Sequence, residues 1–168
     1  MALFSPGQMF RDVTRITPDY LAAQGIKALV LDVDNTLTGH GSQELPAPVS
    51  AWLDGMKAAG IRLMIASNHV EKRVAPFAAR VGLDFTAFSC KPAPFGLARA
   101  QRALGVEKSQ MALVGDQIFT DAMAANLYGI RMLLVVPLHK DEKWTIRLKR
   151  WFEQPVLRRY FARGGTIL

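Results

Sequence analysis

The sequence contains little that would point to an oxidising compartment, a zinc site or a membrane span. Its 168 residues include a single cysteine, Cys90, so no intramolecular disulfide can form, and the three scattered histidines, His40, His69 and His139, cannot complete a zinc cluster with it. No apolar run approaches the roughly 20 residues that cross a bilayer, and the N-terminal residues lack the long apolar core of a signal peptide. We therefore expect a cytoplasmic protein that reaches a membrane, if at all, only as a peripheral protein at its inner face.

Acidic residues are also scarce, since 14 Asp and Glu stand against 21 Lys and Arg and the formal net charge is +7. A basic surface favours an anionic partner, and nucleic acid, phosphorylated metabolites and acidic lipid all qualify. Half of the residues are hydrophobic, which in a chain of this length is enough for the core of one domain.

Continuous apolar runs recur along the chain and alternate with helical patterns that end near glycines. The runs cover residues 27–32, 61–67, 111–116 and 131–137, and a weaker run covers 85–89. Runs without polar alternation are typical of strands covered on both faces, and repeated strand–helix–strand units predict a right-handed parallel α/β sheet. We predict a five-stranded parallel sheet in a three-layer sandwich, with an N-terminal arm and short helix at 1–26, a core at 27–138 and a basic aromatic tail at 139–168.

Polar side chains follow the predicted strands at their carboxyl ends, where ligands bind in sheets of this kind. They are Asp32, Asp34, Ser67, Asn68, Lys91, Asp116 and Asp121. Carboxylate oxygens suit Mg²⁺, whereas serine, amide and lysine groups suit a phosphate. Because carboxylates a few ångströms apart repel one another in a crevice of low dielectric, the cluster itself requires a cation or a proton. The sequence therefore predicts a site for one Mg²⁺ and one phosphate.

Four short motifs, "DVDNTLT", "IASN", "CKP" and "GDQIFTD", occur in this order between residues 27 and 136. They resemble the four ordered motifs of the haloacid dehalogenase (HAD) superfamily of phosphatases, and the resemblance implies the Rossmann-like fold of that superfamily. The longer stretches "GIKALVLDVDNTL", "SNHVEKRV", "KPAPFGLARA" and "GDQIFTDAMAANLYG" resemble the YqeG family of subfamily IIIA. Relatives of that family include the mitochondrial phosphatidylglycerophosphate phosphatases.

The resemblance implies catalytic and phosphate-binding roles for residues of the first three motifs. Asp32 would attack phosphorus and become an aspartyl phosphate, and Asp34 would act first as general acid and then as general base. Lys91 would neutralise charge on the transferring group and on the nucleophile. Ser67 and Asn68 would donate hydrogen bonds to the phosphate oxygens.

The resemblance also implies how Mg²⁺ is held. Asp32, Asp116 and the backbone carbonyl of Asp34 would be ligands, and Asp121 would bind the ion directly or support its shell. The family often has Ser-Asn-Asn at the positions where this chain has residues 67–69. The third of these is a histidine here, which we expect to lie at the surface or to touch an anionic headgroup.

The spacing of the motifs bears on the size of the substrate. About one helix separates the first motif from the second, and about one helix separates the second from the third. Neither segment is long enough for a cap domain, the extra domain with which relatives close over small metabolites. We therefore predict no cap domain and an open crevice that can accept the phosphate end of a large molecule, which leaves a lipid, a protein, a nucleic acid or a substrate enclosed by an oligomer.

The C-terminal segment carries most of the excess charge. Residues 140–165 contain eight Lys or Arg against three acidic residues, and Trp144, Leu148 and Trp151 share one helical face by their spacing. Basic residues with interfacial aromatics predict binding to an anionic membrane surface through residues 140–163. A helix that packs its tryptophans on the core and a homo-oligomer contact are the alternatives.

Together these features predict a Mg²⁺-dependent phosphomonoester hydrolase with phosphatidylglycerophosphate as the leading substrate. One alternative is a soluble HAD phosphatase that acts on a sugar phosphate or a nucleic-acid end, because a basic surface attracts polynucleotides. Another is a regulatory or membrane-binding module that accepts phosphate without turnover, although Asp34 is placed to support hydrolysis.

Overall fold

The structure, a computed structural model, describes residues 3–39, 42–139 and 144–168, the last of these with side chains from residue 147 onward. The expectations for His40 and for the side chain of Trp144 lie outside the described residues.

Six strands form one sheet. They are β1 (Gln8–Phe10), β2 (Ala28–Leu31), β3 (Arg62–Ala66), β4 (Asp84–Thr86), β5 (Met111–Gly115) and β6 (Arg131–Val135). Their order across the sheet is β1-β6-β5-β2-β3-β4. Each neighbouring pair is parallel, which confirms the predicted parallel α/β architecture.

Helices connect these strands and cover the sheet. The α-helices are α1 (Pro18–Ala23), α2 (Ala47–Ala58), α3 (Glu71–Val81), α4 (Phe95–Leu104), α5 (Met123–Tyr128) and α6 (Trp144–Ala162). Short 3₁₀ turns lie at Val13–Arg15 and Lys108–Gln110, and a π-helical turn at Ile118–Ala122 leads into α5.

The prediction of five strands is wrong, because β1 adds a sixth at the edge of the sheet. This strand has three residues and pairs with β6, where Gln8 lies opposite Leu133. The C-terminal residues extend along it in turn, since the amide of Leu168 donates to the carbonyl of Met9 at 3.0 Å. A strand this short has no apolar run of its own, and its pairing depends on residues near the other end of the chain.

The central strands are buried on both faces, as their continuous apolar runs predict. Every residue of β2 and β5 is buried. Alternate side chains enter two hydrophobic clusters on opposite faces, so that Leu29 and Leu31 join one cluster and Val30 joins the other. Each such side chain stabilises the fold by roughly 2 kcal/mol through its removal from water.

The sheet brings the ends of three strands to one place. β2 lies between β3 and β5, with Val30 opposite both Met64 and Leu113. Asp32, Ser67 and Asp116 follow these strands directly and therefore emerge at the same edge. Among the described residues, one helix, α2, connects β2 to β3, and one helix, α3, connects β3 to β4.

The last helix, α6, packs along the sheet with one face and exposes the other. Val156, Leu157 and Tyr160 pack against the hydrophobic cluster on its side of the sheet. Trp151 is 67% exposed and Phe152 is 53% exposed. The alternative in which the tail packs its tryptophans on the core is therefore wrong for Trp151. Within the described residues, no helix combines the length and the apolar character that crossing a bilayer requires.

Candidate active site

Three carboxylates meet at the carboxyl edge of the sheet. Asp32 follows β2, Asp116 follows β5 and Asp121 lies in the π-helical turn, and one oxygen of each lies within 4.8 Å of the others. Asp32 is fixed by the pairing of its strand, because its amide donates to the carbonyl of Val114 at 2.9 Å. The amide of Gln117 donates to Oδ2 of Asp121 at 3.1 Å, which holds that side chain against the end of β5.

Gly115 allows Asp121 to come this close. A Cβ at position 115 would lie 2.5 Å from Cγ of Asp121, a distance that real Cβ contacts do not reach. The glycine before the first aspartate of "GDQIFTD" is therefore required by a close approach rather than by a turn.

Lys91 bridges two of the carboxylates. Its Nζ lies 2.5 Å from Oδ1 of Asp32 and 2.7 Å from Oδ1 of Asp121, and the lysine side chain is almost fully buried. Burial by itself would lower the pKa of Lys91, but the attraction of Asp121 and Asp32 outweighs it and raises the pKa. The ammonium is therefore charged at neutral pH.

The carboxylates remain under-compensated despite this lysine. Burial raises the pKa of Asp32 to about 7, with Asp121 and Asp34 adding to the effect and Lys91 opposing it. Burial likewise raises the pKa of Asp116, against the opposing charge of Arg150. Groups that resist ionisation in this way are typical of a site completed by a cation or of a catalytic site.

One atom of this cluster indicates where a cation would bind. Oδ1 of Asp116 is buried and has no hydrogen-bond partner among the described residues, whereas buried carboxylate oxygens are almost always satisfied. The neighbouring oxygens of Asp32 and Asp121 complete a set of hard ligands. The residues therefore fit a hard divalent cation such as Mg²⁺.

Asn68 holds the loop that carries Lys91. Its Oδ1 accepts hydrogen bonds from the amide of Lys91 at 2.8 Å and from the hydroxyl of Ser89 at 2.7 Å, and its Nδ2 donates to the carbonyl of Lys91 at 2.8 Å. Ser67 is buried beside it, where its hydroxyl accepts from the amide of His69 at 3.2 Å. Both heteroatoms of the Asn68 side chain thus bind the loop, and their effect is to set the position of Lys91.

Asp34 faces a different set of partners from Asp32. Its carboxylate stands outside the group of three, with Oδ2 at 2.7 Å from Nε2 of His69 and Oδ1 accepting from Nη2 of Arg73 at 3.2 Å. His69 and Arg73 are themselves linked, since Nη1 of Arg73 lies 3.4 Å from Nδ1 of His69. His69, in the turn before α3, and Arg73, in the first turn of α3, therefore surround the predicted acid and base, Asp34.

Arg150 and Glu153 belong to the site but are not predicted from the sequence. The guanidinium of Arg150 contacts both Oδ2 and the backbone carbonyl of Asp116, and Glu153 accepts from it at 3.1 Å. The only signal in the sequence is an Arg-x-x-Glu spacing in the basic tail, which is common on solvated helices. Arg73 is closer to the predicted site in the sequence, because it follows the Ser67-Asn68-His69 segment by four residues.

A parallel α/β sheet with three aspartates and a buried lysine gathered at its carboxyl edge is the arrangement of a HAD-type phosphatase. The profile of the HAD-hydrolase-like family matches residues 89–138. The chain is also 30% identical over 154 residues to the probable phosphatase YqeG of Bacillus subtilis, a match that covers 92% of this chain and 90% of that one. The chain therefore belongs to the YqeG family of HAD phosphatases.

Two further groups of proteins are similar to this chain. Phosphatidylglycerophosphate phosphatase 1 of Arabidopsis thaliana is 28% identical over 170 residues, which cover 95% of this chain and 49% of the plant protein, so the chain spans about half of that relative. The cobalt-bound deoxy-D-mannose-octulosonate 8-phosphate phosphatase of Haemophilus influenzae has a TM-score of 0.56 at 16% identity and covers 75% of each chain. A HAD family hydrolase of Deinococcus radiodurans, with bound phosphate and sodium, has a TM-score of 0.53 at 16% identity, over 76% of this chain and 88% of that one. These two structures share the fold.

Proposed function

We propose that this phosphatase hydrolyses phosphatidylglycerophosphate with Mg²⁺ as cofactor and an aspartyl phosphate at Asp32 as intermediate. The observation that carries the proposal is that the carboxylate and lysine cluster lies beside a second group of side chains, His69 and Arg73, which contact Asp34. Relatives named phosphatidylglycerophosphate phosphatases support the substrate class.

The positions of the side chains support the following chemistry. An oxygen of Asp32 forms a bond to phosphorus while the bond from phosphorus to the leaving alcohol breaks, and Asp34 gives the alcohol its proton. Asp34 then takes a proton from the water that cleaves the acyl phosphate, which restores Asp32. Lys91 stays within hydrogen-bond distance of Asp32 and faces the charge of the phosphoryl group.

A cation held by Asp32, Asp116 and Asp121 would supply further positive charge against the phosphoryl oxygens when bound. Ser67 is proposed to bind phosphate, as the family motif implies. For Asn68 we propose an indirect role, because its side chain holds the backbone of Lys91.

His69 and Arg73 support a substrate with a second phosphate. They contact Asp34, the group that would protonate the leaving alcohol, so they lie on the side from which that alcohol departs. Both side chains are about one-third exposed and have donors that can reach a ligand. The leaving alcohol of phosphatidylglycerophosphate is phosphatidylglycerol, whose phosphodiester carries a negative charge that suits these donors.

We further propose that the crevice has no cap domain and opens toward an anionic membrane, which would place the enzyme at the cytoplasmic face. The outer side of α6 carries three exposed apolar side chains, those of Leu148, Trp151 and Phe152. Basic residues flank this apolar ridge, among them Arg147 and Lys149. The division into arm, core and tail at residues 26 and 138 remains a prediction.

The substrate is tested by measuring phosphate release from phosphatidylglycerophosphate in mixed micelles beside glycerol 3-phosphate, sugar phosphates and 5′-phosphorylated oligonucleotides. Asp32→Asn should abolish every activity. Arg73→Gln should lower kcat/KM for the lipid by about 10- to 100-fold, the loss expected for a charged hydrogen bond, and should change the value for glycerol 3-phosphate far less. Arg80→Gln, which removes an exposed arginine from the same helix, is the matched control. Equal losses on both substrates would refute a second phosphate subsite.

The membrane surface has its own test. The protein should sediment with vesicles that contain phosphatidylglycerol more than with neutral vesicles, and added salt should weaken the binding. Trp151→Ala combined with Phe152→Ala should reduce binding, whereas Leu127→Ala, which removes an exposed leucine of α5, should not. Activity on soluble esters alone, without binding to vesicles, would favour the soluble phosphatase, and a concentration-dependent change in mass would favour an oligomer contact.

A further inference from the structure

The C-terminal helix reaches into the carboxylate cluster through one residue. The guanidinium of Arg150 donates to Oδ2 of Asp116 from one nitrogen and to the backbone carbonyl of Asp116 from another. A planar guanidinium that binds a carboxylate and the carbonyl of the same residue fixes both the rotation of the side chain and the path of the backbone.

This contact uses one oxygen of Asp116 and leaves the other. Oδ1 of Asp116 is buried without a hydrogen-bond partner among the described residues, while Oδ2 is held by Arg150. Oδ1 therefore stands as the oxygen available to a cation that Asp32 and Asp121 also approach. Arg150 thus sets the orientation of the Asp116 carboxylate through Oδ2, and Oδ1 is the oxygen left for a cation.

Glu153 holds Arg150 in this position. It is 3% exposed, its Oε2 accepts from Arg150 at 3.1 Å, and its Oε1 accepts from the amide of Ile118 at 2.7 Å. Ile118 begins the π-helical turn that carries Asp121. One glutamate thus connects the arginine on Asp116 to the segment of the third aspartate.

We propose that Arg150, braced by Glu153, is a positioning residue that directs Oδ1 of Asp116 toward the divalent cation, so that α6 is a structural part of the active site. This inference rests on the proposed function, because it requires a cation to bind between Asp32, Asp116 and Asp121. It adds two residues from a helix that carries none of the family motifs.

The proposal predicts the direction in which metal affinity changes when Arg150 is removed, because two effects of the arginine oppose each other. The positive charge of Arg150 repels a cation, so an arginine that acted only through its charge would weaken metal binding, and its removal would strengthen it. An arginine that acts through orientation strengthens metal binding, and its removal weakens it. Partners that orient metal ligands typically contribute 10- to 100-fold in metal affinity, and this is the loss that the proposal predicts.

The test is Mg²⁺ binding to the full chain by calorimetry, with Mn²⁺ binding followed by electron paramagnetic resonance. Arg150→Met should weaken binding of both ions by about 10- to 100-fold. Arg150→Lys, which has one cationic centre in place of a planar fork, should recover part of the loss. Arg80→Met is the matched control, because it removes one arginine from an exposed position of α3.

A second variant protects the test against a folding defect. Arg150→Met leaves the buried carboxylate of Glu153 without its cation, so Arg150→Met combined with Glu153→Gln keeps the helix neutral at this place and keeps an acceptor for the amide of Ile118. The double variant should melt cooperatively and should still bind Mg²⁺ weakly. In phosphate-release assays, it should need more Mg²⁺ for half-maximal rate while KM at saturating Mg²⁺ changes little.

The outcomes separate the two proposals. If the unmodified protein does not bind Mg²⁺ or Mn²⁺, the proposed metal site is wrong, and the role of Arg150 falls with it. The other case is that the unmodified protein binds both ions. If Arg150→Met and the double variant then bind them as tightly as the unmodified protein or more tightly, the metal site stands and the positioning role is refuted. Weaker binding in both variants, with unchanged binding in Arg80→Met, supports the positioning role.

Discussion

Replacement of Asp32 by asparagine should make the metal-free protein more stable at alkaline pH, although it should abolish activity. Burial raises the pKa of Asp32 from 3.8 to about 7 in the folded chain. The attraction of Lys91 lowers this pKa in part, and the negative charges of Asp121 and Asp34 raise it further. The folded state therefore holds a proton between pH 4 and 7 that the unfolded state has released. The free energy of unfolding falls as the pH rises through this range and does not change further above pH 7 for this group.

The size of the effect follows from the displacement of the pKa. A displacement of about three pH units, at about 1.4 kcal/mol for each, corresponds to about 4 kcal/mol of lost stability at pH 8. An asparagine resembles the protonated aspartate and carries no such cost. In a chain of this size, the metal-free Asp32→Asn protein should melt roughly 8 to 16 °C above the unmodified protein at pH 8, and the two melting temperatures should converge near pH 4, where the unfolded carboxyl is also protonated.

Thermal melts followed by circular dichroism, with EDTA present, measure this difference between pH 4 and pH 8. Asp54→Asn, which neutralises an exposed aspartate of α2, is the control and should melt with the unmodified protein. Added Mg²⁺ at pH 8 should raise the melting temperature of the unmodified protein more than that of Asp32→Asn, because only the former offers all three carboxylates. Equal melting temperatures in EDTA at pH 8 would refute the reasoning that the cluster is under-compensated without a cation.

Three further substitutions test how the site is built. Lys91→Met should abolish phosphate release and lower the free energy of unfolding by about 3–5 kcal/mol in denaturant titrations, because a buried ion pair loses its cation; a loss under about 1 kcal/mol would contradict this. Gly115→Ala should weaken Mg²⁺ binding in calorimetry, since its Cβ would displace Asp121, and an unchanged affinity would show that the segment adapts. Asn68→Ala should lower kcat with little change in Mg²⁺ affinity, because it releases the backbone of Lys91; equal losses in both quantities would place its effect on the whole site.

The parts of the fold that follow from the sequence are those with a local signal. β2 and β5 have continuous apolar runs because both faces are covered, and the aspartates that end these runs are predicted from the same pattern. β1 has no such pattern. It forms because β6 and the C-terminal residues around Ile167 offer backbone groups on its two sides, and three residues are too few for periodicity to reveal them.

The site likewise contains residues that the sequence predicts and residues that it does not. The positions of Asp32 and Asp116 directly after neighbouring parallel strands predict that they lie close together, and the fourth motif adds Asp121 beside them. The sequence does not reveal that the side chain of Asn68 binds a loop, because an amide suits a phosphate and a backbone equally well. It cannot reveal Arg150, whose partner precedes it by 34 positions and whose own helix has the composition of a solvated or interfacial segment.

The two faces of α6 determine which experiments on the tail can be interpreted. Its buried face carries Arg150 and Glu153, whereas its exposed face carries Trp151 and Phe152, and the residues beyond it cover β1. Deletion of the tail would therefore remove a contact on Asp116, an apolar surface and an edge of the sheet together. A loss of activity after deletion would not distinguish membrane binding from damage to the metal site. Trp151→Ala and Arg150→Met, at adjacent positions on opposite faces, separate these effects, because the first should change vesicle binding alone and the second should change Mg²⁺ affinity alone.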